Sequence, residues 1–322
     1  MRNGRGATLL LLATLLGAAQ GDDWPFGTWR RAAPAPVLGP RGDGWEAGGT
    51  FNPAVILLDD QIVMLYRAQD RSGTSRLGMA TSSDGLRFTR RADPVLSPAA
   101  DYERGGGVED PRLVQIGDTY YLTYTGYNKK DAQLCLATSS DLVHWRRLGV
   151  ILPAYRGRWN VGWTKSGAIV PEKIAGKYWM YYLGTGSDKT DQMGLAVSTD
   201  LVHWMDALDR PVLPRRAGRF DSRVVEPGPP PIVTPHGIVL IYNGADDSLV
   251  YRTGIARFDR ADPRRLLART DEPVFAPDAE WERVGQVPNV VFVEGMIRRG
   301  SHWLFYYGGA DKYVGVATAA AR

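Results

Sequence analysis

Acidic residues stand beside glycine and proline at three places in this sequence. Glu109 and Asp110 lie in GGGVEDPRLV, Glu226 lies in VVEPGPPPIV, and Glu294 lies in VFVEGMI. Carboxyl groups that are brought together acquire different pKa values, because like charges at close range disfavour each other's ionisation. Glycoside hydrolysis uses such a set, with one protonated acid and one ionised base. The three segments therefore suggest glycosidic-bond chemistry, provided that the fold brings them to one place.

Internal repeats indicate the elements that position these acids. The repeated units are LGMATSSDGLRF (77–88), LCLATSSDLVHW (134–145), MGLAVSTDLVHW (193–204), TGIARFDRADPRRL (253–266) and the truncated VGVATA (314–319). A β-branched and aromatic run precedes each copy and carries a marker tyrosine, namely Tyr66, Tyr124, Tyr182, Tyr242 or Tyr307. Such runs, bounded by Gly, Asp or Asn, are typical of strands. Five units of about four strands predict an all-β fold, a five-bladed β-propeller.

A Pro-rich signature suggests how the ring closes. PVLSP, VILP, PVLP and PVFAP follow the first four units, whereas the fifth unit ends without one and PVLGP (36–40) stands before the first unit. We therefore expect the N-terminal segment around Thr28–Leu38 to supply the missing outer strand of the last blade, which would protect a sheet edge. An unpaired Pro-rich arm is the alternative.

The marker tyrosines also place the acids. Counting back fourteen residues gives Asn52 from Tyr66 and Asp110 from Tyr124, and it falls close to Glu226 and Glu294 in the fourth and fifth units. Lys165 occupies this region in the third unit. We expect these positions to converge on one mouth of the central channel. The alternative is that each acid caps a turn, as acids beside glycine and proline often do.

Composition limits the other function classes. The net charge is +4, and the arginines are scattered rather than arranged in a stripe with aromatic residues, so we expect no nucleic-acid partner. Cys135 is the single cysteine, which excludes an internal disulfide. The four histidines are dispersed, and neither a zinc-type cluster nor a phosphate-binding loop is present. The sequence predicts no metal and no cofactor.

The N-terminus has the layout of a secretory signal peptide. Arg2 and Arg5 precede an apolar run from Ala7 to about Leu16, and small residues follow. We expect a signal peptide over residues 1–21, a catalytic domain over 22–322, and a periplasmic or secreted protein without membrane insertion after the signal is removed. The oligomeric state stays open.

An ordered set of motifs resembles glycoside hydrolase family 130, the β-mannoside hydrolases and phosphorylases. The set is FNPAV (51–55), YRA (66–68), SRLGMATSSDG (75–85), GVEDPR (107–112), GAIVPEKIAGKYWMYY (167–182), GPPPI (228–232), VPNVVF (287–292) and YYGGADKYVGVATA (306–319). The resemblance implies a five-bladed propeller acting on an oligosaccharide. It implies inversion, with Asp110 as the general acid whose proton passes through a sugar hydroxyl. It also implies that Asn52, Arg67 and Asp311 hold the reactive mannose; we add Glu109, Arg112 and Lys165 as predicted binding residues.

Departures from that pattern favour water over phosphate as the attacking group. Family phosphorylases usually have an arginine where this chain has Leu183, a lysine where it has Glu226, and a cysteine-containing segment where it has Glu294. Losing cations and gaining carboxylates weakens an anion site. We therefore expect an exported inverting hydrolase of β-mannosides, with β-1,2-linked manno-oligosaccharides as the best candidate and Glu226 or Glu294 as the base. The alternatives are a phosphorylase of the same family and a non-catalytic mannoside-binding propeller.

Overall fold

The computed structural model describes residues 24–157 and 159–322, so the predicted signal peptide lies outside the described residues. This part of the chain is all-β, apart from a 3₁₀ turn at Asp101–Glu103 and the single-turn helix α1 (Glu280–Arg283). Within it, no helix is both long and apolar enough to span a membrane.

The strands form five antiparallel groups. An N-terminal strand, β1 (Arg30–Arg31), precedes them. Group one contains β2 (Gly49–Leu58), β3 (Gln61–Gln69), β4 (Ser75–Ser82) and β5 (Thr89–Arg90). Group two contains β6 (Gly107–Ile116), β7 (Thr119–Tyr127), β8 (Ala132–Ser139) and β9 (Arg146–Leu152). Group three contains β10 (Asn160–Ile169), β11 (Tyr178–Gly186), β12 (Asp191–Ser198) and β13 (Met205–Asp206). Group four contains β14 (Val224–Pro227), β15 (Ile232–Thr234), β16 (Gly237–Ala245), β17 (Tyr251–Phe258) and β18 (Leu266–Arg269). Group five contains β19 (Val291–Arg299), β20 (His302–Gly309) and β21 (Tyr313–Ala320), and β1 completes it.

The N-terminal strand pairs where the sequence predicts. Strand β1 runs antiparallel to β21, with Arg30 opposite Thr318 and Arg31 opposite Ala317. A further bridge joins Leu38 to Val314. The outer edge of group five is therefore covered by the N-terminal segment.

The repeated tyrosines and alanines share one structural role. Each marker tyrosine donates its hydroxyl hydrogen to a carboxylate at 2.5–2.8 Å; the pairs are Tyr66–Glu46, Tyr124–Glu103, Tyr182–Asp206, Tyr242–Asp221 and Tyr307–Glu282. An arginine pairs with each acid; these are Arg90, Arg147, Arg156, Arg269 and Arg31 in the same order. In each group, the repeated alanine lies on the strand next to the outer strand. It is paired with the residue of the outer strand that takes part in this network, for example Ala80 with Arg90. Since buried carboxylates need such partners, the network explains why these residue types repeat.

The hydrophobic core is divided among the groups. Five clusters of buried apolar residues each lie between two groups. They join group one to group two, group two to group three, group three to group four, group four to group five, and group five to group one. Strand β2 lies beside both β6 and β19. The groups are thus neighbours in cyclic order, and the first strand of each lies on the inner side.

Candidate active site

β-Bulges shape the inner strands where the candidate residues lie. Asn52 interrupts the β2–β3 register, Asp110 and Pro111 interrupt β6–β7, and Ser166 interrupts β10–β11. Asn52, Asp110 and Ser166 have φ values of 49°, 51° and 60°. Asn and Asp tolerate this left-handed region better than most residues do. A bulge re-aims a side chain, which is how these strands direct polar groups toward the centre.

One cavity of about 130 Å³ collects most of the predicted residues. Its wall is formed by Asn52, Arg67, Asp110, Lys165, Glu226, Tyr251, Val287, Val290, Phe292 and Asp311. The residues come from all five strand groups and from the loops at the end where the inner strands begin. The cavity therefore combines three carboxyl groups, two cations and an aromatic wall.

Asp110 is held by two neighbours of the first group. Asn52 Nδ2 donates to Asp110 Oδ1 at 2.8 Å, and Arg67 Nη1 donates to the same oxygen at 3.0 Å. Asn52 Oδ1 has no hydrogen-bond donor among the described residues, although it is buried. A Cβ at Gly308 would lie 2.3 Å from this atom, so only glycine fits there. Asn52 thus fixes Asp110 with its amide nitrogen, while its amide oxygen is buried against Gly308.

Glu226 lies in the same cavity beside Lys165. Its side chain accepts a short hydrogen bond from Ser166 Oγ, and Lys165 Nζ lies 4.0 Å from Glu226 Oε1. Glu226 is 3% exposed. The carboxylate is therefore oriented by one hydrogen bond and balanced by one partly buried cation.

The carboxyl groups of the cavity differ in their readiness to ionise. Burial would raise the pKa of Asp110, but Arg67, Lys165 and Arg112, with the Asn52 hydrogen bond, outweigh it and lower that pKa to about 2. Burial raises the pKa of Asp311 to about 6 against the opposing charge of Arg67. It also raises the pKa of Glu226, although Lys165 and Arg112 oppose the shift. Asp110 is therefore the carboxyl that ionises most readily, whereas the other two hold protons more readily.

Three predicted residues stand outside the cavity wall. Glu109 accepts from Arg67 Nη2 at 2.6 Å and from Ser75 Oγ at 3.2 Å. Arg112 is 1% exposed and donates to the carbonyl oxygens of Asp110 (3.0 Å), Pro227 (2.9 Å) and Gly228 (3.3 Å). Glu109 and Arg112 therefore support the residues that face the cavity.

Glu294 faces the other way. It is fully buried, and Arg112 Nη1 lies 3.2 Å from its Oε1, although neither carboxylate oxygen has a hydrogen bond of good geometry among the described residues. Glu294 lines a separate cavity of about 150 Å³ with Trp303 and Met296. Burial raises its pKa well above the ordinary value. Arg112 therefore contacts both this acid and the backbone carbonyl of Asp110.

The strand register corrects the prediction that the three acids share one repeat position. Glu226 lies opposite Asn243, the residue after a marker tyrosine, as Glu109 lies opposite Thr125. Asp110 lies one position further along its strand, as the first residue of the β6 bulge. Glu294 lies one position further again, in the β19 bulge of group five. The acids thus occupy three successive positions. Because Asp110 and Glu294 lie at different places in their bulges and a bulge re-aims a side chain, the two acids line different cavities.

Some cavity residues were not singled out from the sequence. Tyr251 is the first residue of β17 and corresponds in the repeat to Ser75, the first residue of β4. Aligning YRTGIA with SRLGMA would have identified this position from the sequence. Val287, Val290 and Phe292 belong to a recognised motif but carried no predicted role. The described residues contain no group of three or more His, Cys, Asp or Glu side chains suited to a metal ion.

Comparison with known proteins identifies the family. The carboxyl-lined cavity is suited to glycosidic-bond chemistry, and the model of the family described as beta-1,4-mannooligosaccharide phosphorylase matches residues 45–322, which places the chain among carbohydrate-active enzymes. The chain belongs to glycoside hydrolase family 130, and it is an enzyme that acts on β-mannosides.

Three similar proteins are described as acting on β-1,2-linked mannosides. A 1,2-beta-oligomannan phosphorylase of Thermoanaerobacter sp. (strain X514) is 38% identical, over 89% of this chain and 96% of its own length. A second relative is a solved structure from work on GH130. That work describes the family as mannoside phosphorylases that include glycoside hydrolases targeting β-1,2 mannosidic linkages in Candida mannan. The structure is 38% identical with a TM-score of 0.84, over 93% of this chain and 97% of its own. The β-1,2-mannobiose phosphorylase of Listeria innocua, solved with β-1,2-mannobiose, is 27% identical with a TM-score of 0.81, over 91% and 96%.

Proposed function

We propose that this chain is an exported inverting hydrolase of β-1,2-linked mannosides, built as a five-bladed β-propeller closed by its N-terminal strand. The cyclic order of the strand groups and the pairing of β1 with β21 support the propeller. The N-terminal sequence pattern supports export. One observation carries the reaction type: the carboxylate of Glu226 stands in the cavity where an attacking anion would have to bind.

In the proposed mechanism the sugar unit to be released fills the cavity. Asn52, Arg67 and Asp311 bind its hydroxyl groups, and Tyr251 presents a hydroxyl that stays protonated because burial raises its pKa. Asp110 delivers the proton to the leaving oxygen through a sugar hydroxyl. Because the neighbouring cations lower the pKa of Asp110, this carboxylate must take up a proton from solvent before it can act as the acid, and the proton that the base removes from water returns to solvent.

Glu226 acts as the base in this proposal. It removes a proton from the water that attacks the anomeric carbon on the face opposite the leaving group. Lys165, 4.0 Å from Glu226 Oε1, favours its ionised form. In an inverting enzyme the two carboxyl groups usually stand about 6.5–9.5 Å apart, and a relay through a sugar hydroxyl permits a longer separation.

Phosphorolysis is the second candidate, favoured by the names of the similar curated proteins. The deciding experiment incubates the purified protein with β-1,2-mannobiose, with and without inorganic phosphate. Hydrolysis predicts mannose in both samples, with the inverted anomer visible first by NMR. Mannose 1-phosphate formed only with phosphate would overturn the hydrolase proposal, and binding without any product would favour the non-catalytic alternative.

A further inference from the structure

We propose that Trp163 and Tyr127 form an aromatic platform at the mouth of the cavity, and that this platform binds the sugar units of a β-mannoside chain beyond the one held inside. The inference rests on the proposed function, because it assigns the acceptor side of the same site. It names a neutral oligosaccharide as the occupant.

The cavity is too small to bind the whole of an oligosaccharide substrate. Its volume of about 130 Å³ lies well below the roughly 300–1,000 Å³ of sites that enclose a drug-sized ligand. One sugar unit can enter, and the remaining units must lie outside the mouth. Affinity for a longer chain therefore requires a second surface next to the cavity.

Both strands that carry the central residues lead to the platform. Trp163 precedes Lys165 by two residues on β10, which corresponds to about 7 Å along a strand. Tyr127 lies opposite Gly107, three residues or about 10 Å before Asp110 on β6. The cavity lies at this end of the inner strands, since Tyr251 begins β17 and Asp311 lies between β20 and β21. Trp163 and Tyr127 thus lie within about 10 Å along the strands of two cavity residues, toward the end of the inner strands where the cavity lies.

The platform is exposed but held in place. Trp163 is 36% exposed, its Nε1 donates to the carbonyl oxygen of Lys130 at 3.2 Å, and its ring centroid lies 5.8 Å from that of Tyr127 in an edge arrangement. Tyr155 is 57% exposed beside it, with its hydroxyl donating to Asp131 at 2.8 Å. Val161 is exposed on the same segment. Single exposed apolar side chains are ordinary, whereas a cluster beside a polar cavity indicates a binding surface.

The chemistry of the platform fits a sugar chain. A pyranose ring has an apolar C–H face that packs on an aromatic ring, and its edge hydroxyls can stay in water. The indole N–H of Trp163 is already bonded, so the side chain offers its ring surface without leaving a polar group unpaired. A neutral sugar also needs no charge from the platform.

The test compares substrates that do and do not reach the platform. For Trp163→Ala, we expect kcat/KM for β-1,2-mannotriose to fall about tenfold, the loss appropriate to one aromatic contact. The inhibition constant of mannose, which fills only the cavity, should not change. Trp163→Phe should restore most of the loss. Met205→Ala, at a side chain 67% exposed on β13, is the matched control and should behave as the wild type.

Two results would overturn the platform. One is unchanged kcat/KM for mannotriose in Trp163→Ala; the other is a parallel weakening of mannose binding, which would mean that the substitution damages the cavity. If the wild type releases no mannose, the proposed function fails, and titration with mannotriose followed by tryptophan fluorescence then decides the inference. A change in fluorescence that disappears in Trp163→Phe supports the platform, and one that persists refutes it.

Discussion

Replacing Glu226 by glutamine removes one negative charge from the cavity and keeps the shape of the side chain. The glutamine can still accept the hydrogen bond from Ser166, but it cannot take a proton from water. If Glu226 is the base, hydrolysis should fall about 10²–10⁴-fold, the usual contribution of a general base, which corresponds to about 3–5 kcal/mol in the activation barrier.

Stability should change far less than activity. At 4.0 Å, with an effective dielectric constant of about 20, the attraction between Lys165 and Glu226 is about 4 kcal/mol. Removing the Glu226 carboxylate from water destabilises the folded state by several kcal/mol, and the charge of Asp110 repels that of Glu226. These opposing effects largely cancel, so we expect the free energy of unfolding to move by less than about 1 kcal/mol.

The assay measures release of mannose from β-1,2-mannobiose, alongside urea unfolding of the same preparation. Glu294→Gln is the matched control, because it makes the same change at a buried acid outside the cavity wall and should retain far more activity. Near-normal hydrolysis by Glu226→Gln would refute this reasoning. So would the reverse pattern, with activity lost in Glu294→Gln alone.

Three further predictions concern the other acids and ring closure. Asp110→Asn should lose about 10²–10⁴-fold in hydrolysis while remaining folded, and full activity on the disaccharide would remove Asp110 from the mechanism. The raised pKa of Asp311, about 6, means that the folded state binds more protons than the unfolded state between about pH 4 and 6, so stability falls as pH rises through that window. Asp311→Asn should therefore stabilise the protein above pH 6 and not below pH 4, as urea titrations at the two pH values would reveal. Arg31→Ala should destabilise the protein by about 3 kcal/mol, because it leaves the buried Glu282 without its cation, whereas the exposed neighbour Arg30→Ala should have little effect on the melting temperature.

The sequence predicted the strand groups well because their restraints recur. Each marker tyrosine needs a carboxylate, and each carboxylate needs an arginine, so the residue types repeat at nearly constant spacing. The repeated Pro-rich signature anticipated the pairing of the N-terminal segment, and the structure shows that Arg31 completes the network of Tyr307 and Glu282 in group five. Repetition makes such contacts visible without a structure.

The direction of individual side chains could not be read in the same way. A bulge adds one residue to a strand and moves every later side chain to the other face. Counting residues therefore treated Asp110 and Glu294 as equivalent, although their bulge positions differ by one and they face separate cavities. Tyr251 was missed for a related reason, since the repeat places a small serine at the corresponding position of group one.

The hydrolase proposal depends on the balance of charge in this cavity. Arg67 is committed, since its Nε donates to Ser75 at 3.0 Å, its Nη1 to Asp110 at 3.0 Å and its Nη2 to Glu109 at 2.6 Å. Lys165 is then the remaining cation of the wall, and Glu226 already lies beside it. A phosphate dianion entering here would have to displace a carboxylate from each cation or accept repulsion from Asp110 and Glu226, whereas a water molecule faces neither cost. Similarity alone points toward the phosphorylases, but the charges that a phosphate would meet favour water.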